Sequence, residues 1–143
     1  MTLLIGRKLQ LLLDYLEEFK KFTRMRFAEY ERDKIKRRAA ERLIQLLVEV
    51  GSDIAGIILS EKEGIIPESY YESFIKLGER KIIPLNLAKK LASSTGLRNR
   101  IIHEYGEYKD SIVFANIKSL YNSYLSFYLS VRSYLKSEKR DKK

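Results

Sequence analysis

Cysteine is absent from the 143 residues and histidine occurs once, so no disulfide can staple the chain, and neither a thiolate centre nor a multi-histidine metal site can form within one subunit. A metal-free route is the simpler inference for any chemistry it performs. Glycine-rich phosphate loops, paired-histidine metalloprotease motifs and Ser/His/Asp signatures are missing, which leaves those enzyme classes without support. No stretch reaches the roughly 18 uninterrupted apolar residues of a membrane span. The apolar cluster Met1 to Ile5 runs directly into charged sequence, unlike a secretory leader. The expectation is a soluble, cytoplasmic protein with no membrane association. Internal repeats, low-complexity linkers and alternating strand segments are also lacking, which points to an all-α up-and-down bundle of four to five helices in a single domain, 1–143.

The chain does contain strong helical periodicity. Leu9, Leu12, Leu13, Leu16 and Phe19 recur in steps of three and four and predict a first helix from about Arg7 to Met25. A charge-dense stretch follows to Lys36. Asp33 is placed to cap a second helix that runs to about Ser60. Gly51 and Gly56 lie within it at a cost of about 1 kcal/mol each against alanine, which implies a close helix neighbour, within the subunit or across a dimer axis. Asp53, a carboxylate in an apolar run, calls for a basic partner or water, and is expected to orient Arg98 or His103. Pro67-Glu68-Ser69 reads as the entry to a third helix through about Glu79, whose Tyr70, Tyr71, Phe74 and Leu77 form an aromatic packing edge. Pro84 precedes a fourth helix, continuous through Gly96. Gly106 is placed to end it. The last helix is expected from Asp110 to about Lys136, with a frayed basic tail beyond.

Reactive side chains concentrate in Leu97-Arg98-Asn99-Arg100-Ile101-Ile102-His103-Glu104-Tyr105. At about 100° per residue, Asn99 and His103 share a face, so the amide is placed to orient the imidazole. Arg98 and His103 stand about 140° apart, and their heads converge only if the arginine bends back or another copy of the chain contributes. Arg98 and Tyr105 fall nearly on one line. Imidazole exchanges protons near neutrality, and guanidinium forks onto phosphate oxygens, a pairing suited to phosphoryl chemistry. Arg100 reads as a solvated helix charge. Twenty-eight basic against nineteen acidic residues give a formal charge of +9, which favours a polyanion such as RNA without specifying one.

The octet Arg98 to Tyr105 resembles the Arg-x4-His-x-Tyr signature of the HEPN superfamily, specifically the HepT-like toxins paired with minimal nucleotidyltransferases. Glu41-Arg42-Leu43-Ile44-Gln45, Ile65-Ile66-Pro67-Glu68-Ser69-Tyr70 and Gly96-Leu97-Arg98-Asn99 resemble its other stretches, in the same order and over nearly the whole chain. The resemblance implies the toxin of a toxin-antitoxin pair, a ribonuclease needing no metal or cofactor, in which a ribose 2'-hydroxyl attacks the adjacent phosphate. One histidine per chain cannot be both acid and base, so a two-fold homodimer is expected, with both His103 rings at a shared cleft and the Arg98 pair on the phosphate. His103 and Arg98 are then the catalytic residues, with Asn99 and Asp53 supporting them. The resemblance further implies that a nucleotidyltransferase antitoxin attaches AMP to Tyr105. Glu104 departs from the pattern, since many relatives carry a basic residue there, and it weakens the local pull on phosphate. The alternative is a non-catalytic module that binds nucleotide or RNA, or docks the nucleotidyltransferase.

Overall fold

The computed structural model describes residues 2–103 and 110–141. Six α-helices and no strand occur among them: α1 (Thr2–Phe19), α2 (Phe27–Arg32), α3 (Lys34–Ile58), α4 (Tyr70–Glu79), α5 (Leu85–His103) and α6 (Asp110–Asp141). The all-helical bundle expected from the periodicity is therefore the fold. One helix more than expected is present, because the charged stretch after Met25 contains the six-residue α2.

The first helix starts earlier than its charged flank suggested. Ile5 is fully buried and extends the stripe Leu9, Leu12, Leu16, Phe19 backwards by one more step of four, so the apolar cluster at the start is the helix's own first turn. Beyond Phe19 the backbone tightens into a 3-10 turn, Lys20–Arg24, that tucks Phe22 inward. The Asp33 cap forms as expected, its Oδ1 accepting from the Lys36 backbone N–H at 3.1 Å.

Helix α3 is the central element, packed against α1, α4, α5 and α6. By length and composition the segment Lys34–Glu63 would suit a membrane span, but 61% of its most apolar window is buried against the rest of the bundle. Gly51 explains part of that packing. A Cβ there would stand 2.9 Å from Tyr124 Cε1 and 3.2 Å from Phe74 Cζ, so only glycine lets the two rings close over the helix. Gly56 has no such neighbour among the described residues of the subunit. The helix widens into a π turn, Leu59–Glu63, and stops at Gly64, whose φ of 65° suits glycine.

Ser69 caps α4 as its position implied, accepting from the Glu72 N–H at 3.0 Å. Helix α5 begins after Pro84 and passes unbroken through Gly96. Its Ser94 hydroxyl meets the Tyr124 hydroxyl at 2.7 Å and ties α5 to α6 inside the core. Burial pushes the Tyr124 phenol's pKa well up, so it stays a neutral partner. Helix α6 does not fray after Lys136; it continues through Asp141, where the Lys62–Glu138 ion pair at 3.2 Å links it to the π turn. The expected stop at Gly106 lies outside the described residues.

Candidate functional site

The last two turns of α5 carry the motif, and its side chains divide between two faces. Ile101 is buried and anchors the helix to the core, while Asn99, Arg100 and His103 are exposed. Arg98 turns the other way, toward α3 and α4, and its side chain is only 17% exposed. Three groups hold it. Its Nη2 stands 3.6 Å from Glu49 Oε1, its Nη1 donates to Asn99 Oδ1 at 3.1 Å, and its Cζ lies 4.9 Å from the centroid of the Tyr70 ring. The carboxylate fixes the charge, the amide fixes the plane of the fork, and the ring supplies a cation-π face. Arg98 Nε and Glu49 Oε2 are both buried without a hydrogen-bond partner among the described residues. Polar atoms left in this way in a buried site carry a desolvation cost, so a further polar partner would be favoured there.

Two supporting roles fall elsewhere within the subunit. Asp53 takes a proton donor from α1, Lys8 Nζ, at 3.2 Å, so it serves the α1–α3 seam and orients neither Arg98 nor His103 here. Asn99 engages Arg98 rather than His103 through its side-chain carbonyl. Glu49, one helical turn before Asp53, is the carboxylate that faces Arg98. The argument applied to Asp53, an acid in an apolar run, holds equally for Glu49 among Leu46, Leu47, Val48 and Val50, and that signal was present in the sequence. Tyr70 does pack, as its spacing implied, and it also carries the guanidinium.

His103 and Arg98 do not meet within one subunit, as the 140° between them on the helix implied. His103 instead closes an exposed ridge of α5 formed by Lys89, Ser93, Gly96, Arg100 and His103, spaced four, three, four and three residues apart. Nothing lies within 4 Å of a Cβ built on Gly96, so the ridge is low at its middle. Glu104 and Tyr105 lie outside the described residues. Among the described residues no three histidine or carboxylate side chains gather as metal ligands.

A cavity of ≈ 870 Å³ lies at the α4–α5 turn against the C-terminal half of α6, lined in part by Ile82, Ile83, Pro84, Leu129 and Tyr134. It contains neither Arg98 nor His103. The constrained arginine lies elsewhere, between α3, α4 and α5.

Comparison with known proteins gives a consistent result. The family model described as ribonuclease HepT-like matches residues 12–131. The tRNA nuclease HepT of Aphanizomenon flos-aquae (strain 2012/KM1/D3) is 34% identical over 132 residues, covering 92% of this chain and 90% of that protein. Among solved structures, the tri-AMPylated Shewanella oneidensis HEPN toxin in complex with MNT antitoxin superposes with a TM-score of 0.82 at 22% identity, over 90% of this chain and 96% of the toxin. A toxin-antitoxin complex with AMP-PNP gives a TM-score of 0.81 at 21% identity, over 90% of this chain and 97% of the matched one.

Proposed function

This chain belongs to the HepT-like ribonuclease family, and on that premise we propose that it is a metal-independent endoribonuclease, the toxin of a toxin-antitoxin pair in the cytoplasm. The observation that carries the reading is the division of labour on α5. Arg98 is held rigidly at one face, and the only histidine stands exposed on the other at the helix end. Neither face alone holds an acid, a base and a phosphate clamp. A second copy related by a two-fold axis supplies the missing half, in a cleft that takes in the Arg98 edge of α5 as well as His103 at its end.

In the composite cleft one His103 removes the proton from a ribose 2'-hydroxyl. The resulting oxygen attacks the adjacent phosphorus, and the bond to the 5'-oxygen of the next nucleotide breaks. The other His103 protonates that leaving oxygen, so the products are a 2',3'-cyclic phosphate and a free 5'-hydroxyl. Arg98 stabilises the charge that builds on the non-bridging oxygens. Glu49, Asn99 and Tyr70 limit its rotamers, so less freedom is lost when phosphate binds. Asp53 acts at most through the α1–α3 seam.

The partner is a minimal nucleotidyltransferase that attaches AMP to Tyr105. The AMPylated state of the Shewanella oneidensis toxin supports this. A phosphate added two residues from His103 competes with the substrate phosphate for Arg98 and repels incoming RNA. The name of the Aphanizomenon flos-aquae relative points to tRNA as the substrate class. Incubation of tRNA with the purified protein in chelator, followed by analysis of product ends, tests the reading: cyclic phosphate ends that vanish in His103→Ala support it, and cleavage unchanged by that substitution overturns it.

A further inference from the structure

The positive charge is unevenly distributed. Between Lys20 and Arg42 there are ten basic and four acidic residues, a net +6 of the chain's +9. This segment is the 3-10 turn, α2 and the first turns of α3, which wrap one end of the bundle as a collar. Three of its four acids are engaged. Glu29 lies 2.8 Å and Asp33 4.0 Å from Lys36 Nζ, and Glu41 lies 3.0 Å from Arg38. Lys20, Lys21, Arg24, Arg26, Arg32 and Lys34 are exposed, and among the described residues none has a carboxylate within 4.0 Å. Lys21 and Arg24 border a recess of ≈ 300 Å³ that Phe22 and Met25 also line.

The collar is pinned to the first turns of α6, the helix that follows the motif. Phe114, on the second turn of α6, meets the Phe27 ring at 5.4 Å and the Tyr30 ring at 5.3 Å between centroids, pinning α2 to α6. Arg37 Nε lies 3.4 Å from Asp110 Oδ2. Asp110 follows His103 by seven residues, so the two Cα atoms are at most about 25 Å apart. That is the span of about seven stacked nucleotides at ~3.4 Å each.

We propose that the collar is the docking surface for the RNA backbone flanking the scissile phosphate, so that the substrate is an RNA continuing for several nucleotides beyond the cleavage point. This rests on the ribonuclease reading for the cleft. It adds where the remainder of the substrate lies. Exposed cations without a carboxylate partner attract phosphates without reading bases, which gives affinity and leaves the choice of bond to the cleft.

The test uses the full chain carrying His103→Ala, to prevent cleavage, and a fluorescent RNA of about 30 nucleotides whose binding is followed across about 50 to 200 mM salt. A collar triple variant, Lys20→Glu, Lys21→Glu and Arg24→Glu, should raise Kd at least about ten-fold and flatten the slope of log K against log salt by about two, as expected when three single-strand phosphate contacts are lost. A charge-matched control, Lys136→Glu, Lys139→Glu and Arg140→Glu, lies about 40 Å along α6 from Asp110 and should leave the affinity within two-fold. Equal losses in both variants, or none in the collar variant, overturn the proposal. So does a collar variant that keeps RNA affinity while losing the nucleotidyltransferase, which would make the collar a protein surface. Retained melting temperatures and a neutral Lys20→Gln, Lys21→Gln, Arg24→Gln variant of intermediate affinity separate charge from misfolding. RNA cleavage by the unmodified protein, measured in parallel, separates the two readings: no cleavage with collar-dependent binding sinks the nuclease and keeps the collar.

Discussion

Glu49 and Arg98, 49 positions apart on α3 and α5, face each other at 3.6 Å, and this contact fixes where the motif arginine points. The pair is partly shielded, with 34% and 17% of the two side chains exposed, so screening removes less of its attraction than on an open surface. Its consequence is directional. The carboxylate and the Tyr70 ring hold the guanidinium from two sides, and these contacts leave the second N–H of each terminal nitrogen uncommitted.

Removing that constraint should lower turnover while leaving the fold intact. Glu49→Ala is expected to reduce the single-turnover rate of RNA cleavage by about ten-fold or more, because Arg98 then samples orientations that miss the phosphate. Glu49→Gln, which keeps an acceptor, should lose less. An unchanged rate in Glu49→Ala would show that the contact has no part in positioning Arg98.

Modification of Tyr105 should be read by mass. Incubation with the cognate nucleotidyltransferase and ATP is expected to add AMP to the unmodified chain and none to Tyr105→Phe. Labelling that persists in the variant redirects the modification to another residue such as Tyr108.

The core offers a test of stability separate from function. Ser94→Ala leaves the buried Tyr124 hydroxyl without its 2.7 Å partner and should cost about 1–3 kcal/mol, measured by urea unfolding. Gly51→Ala places a methyl 2.9 Å from Tyr124 Cε1 and should destabilise by about 1–3 kcal/mol through overpacking. Gly56→Ala meets nothing within the subunit, so in the monomer it should stabilise the helix by about 1 kcal/mol.

At the collar, the Lys36 hydrogen bond holds the Glu29 carboxyl below its usual range, and the same contact holds the Lys36 ammonium above its own. The depressed acid contributes stability above its unfolded-state pKa and loses it as pH falls through the folded value. The raised ammonium contributes below its unfolded-state pKa and loses it as pH rises through the folded one. An NMR titration should find the Glu29 midpoint below that of an isolated glutamate, and Lys36→Met should move it back up. A midpoint that does not move would remove Lys36 as the cause.

The helical bundle was legible because apolar residues repeat in threes and fours, and caps at Asp33 and Ser69 sit where short polar side chains precede such runs. Arg98 and His103 were legible as a motif. Their placement on opposite faces followed from helix geometry alone. The short helix α2 was hidden, because six residues are too few to show a period, and what holds them is Phe27 and Tyr30 packing on Phe114, a contact more than 80 residues distant in the chain. Asp53 and Glu49 show the same limit. Both are carboxylates on α3 about 6 Å apart along its axis, and only the packing of α1 and α5 decides which of them reaches the arginine.

A covalently tandem dimer, with one unmodified subunit and one carrying His103→Ala, tests the shared cleft most directly. If two imidazoles serve one phosphodiester, its rate of RNA cleavage should fall far below half that of the unmodified tandem dimer, toward that of the doubly substituted one. A rate of one half would mean that each subunit holds a complete site of its own, and would contradict the account.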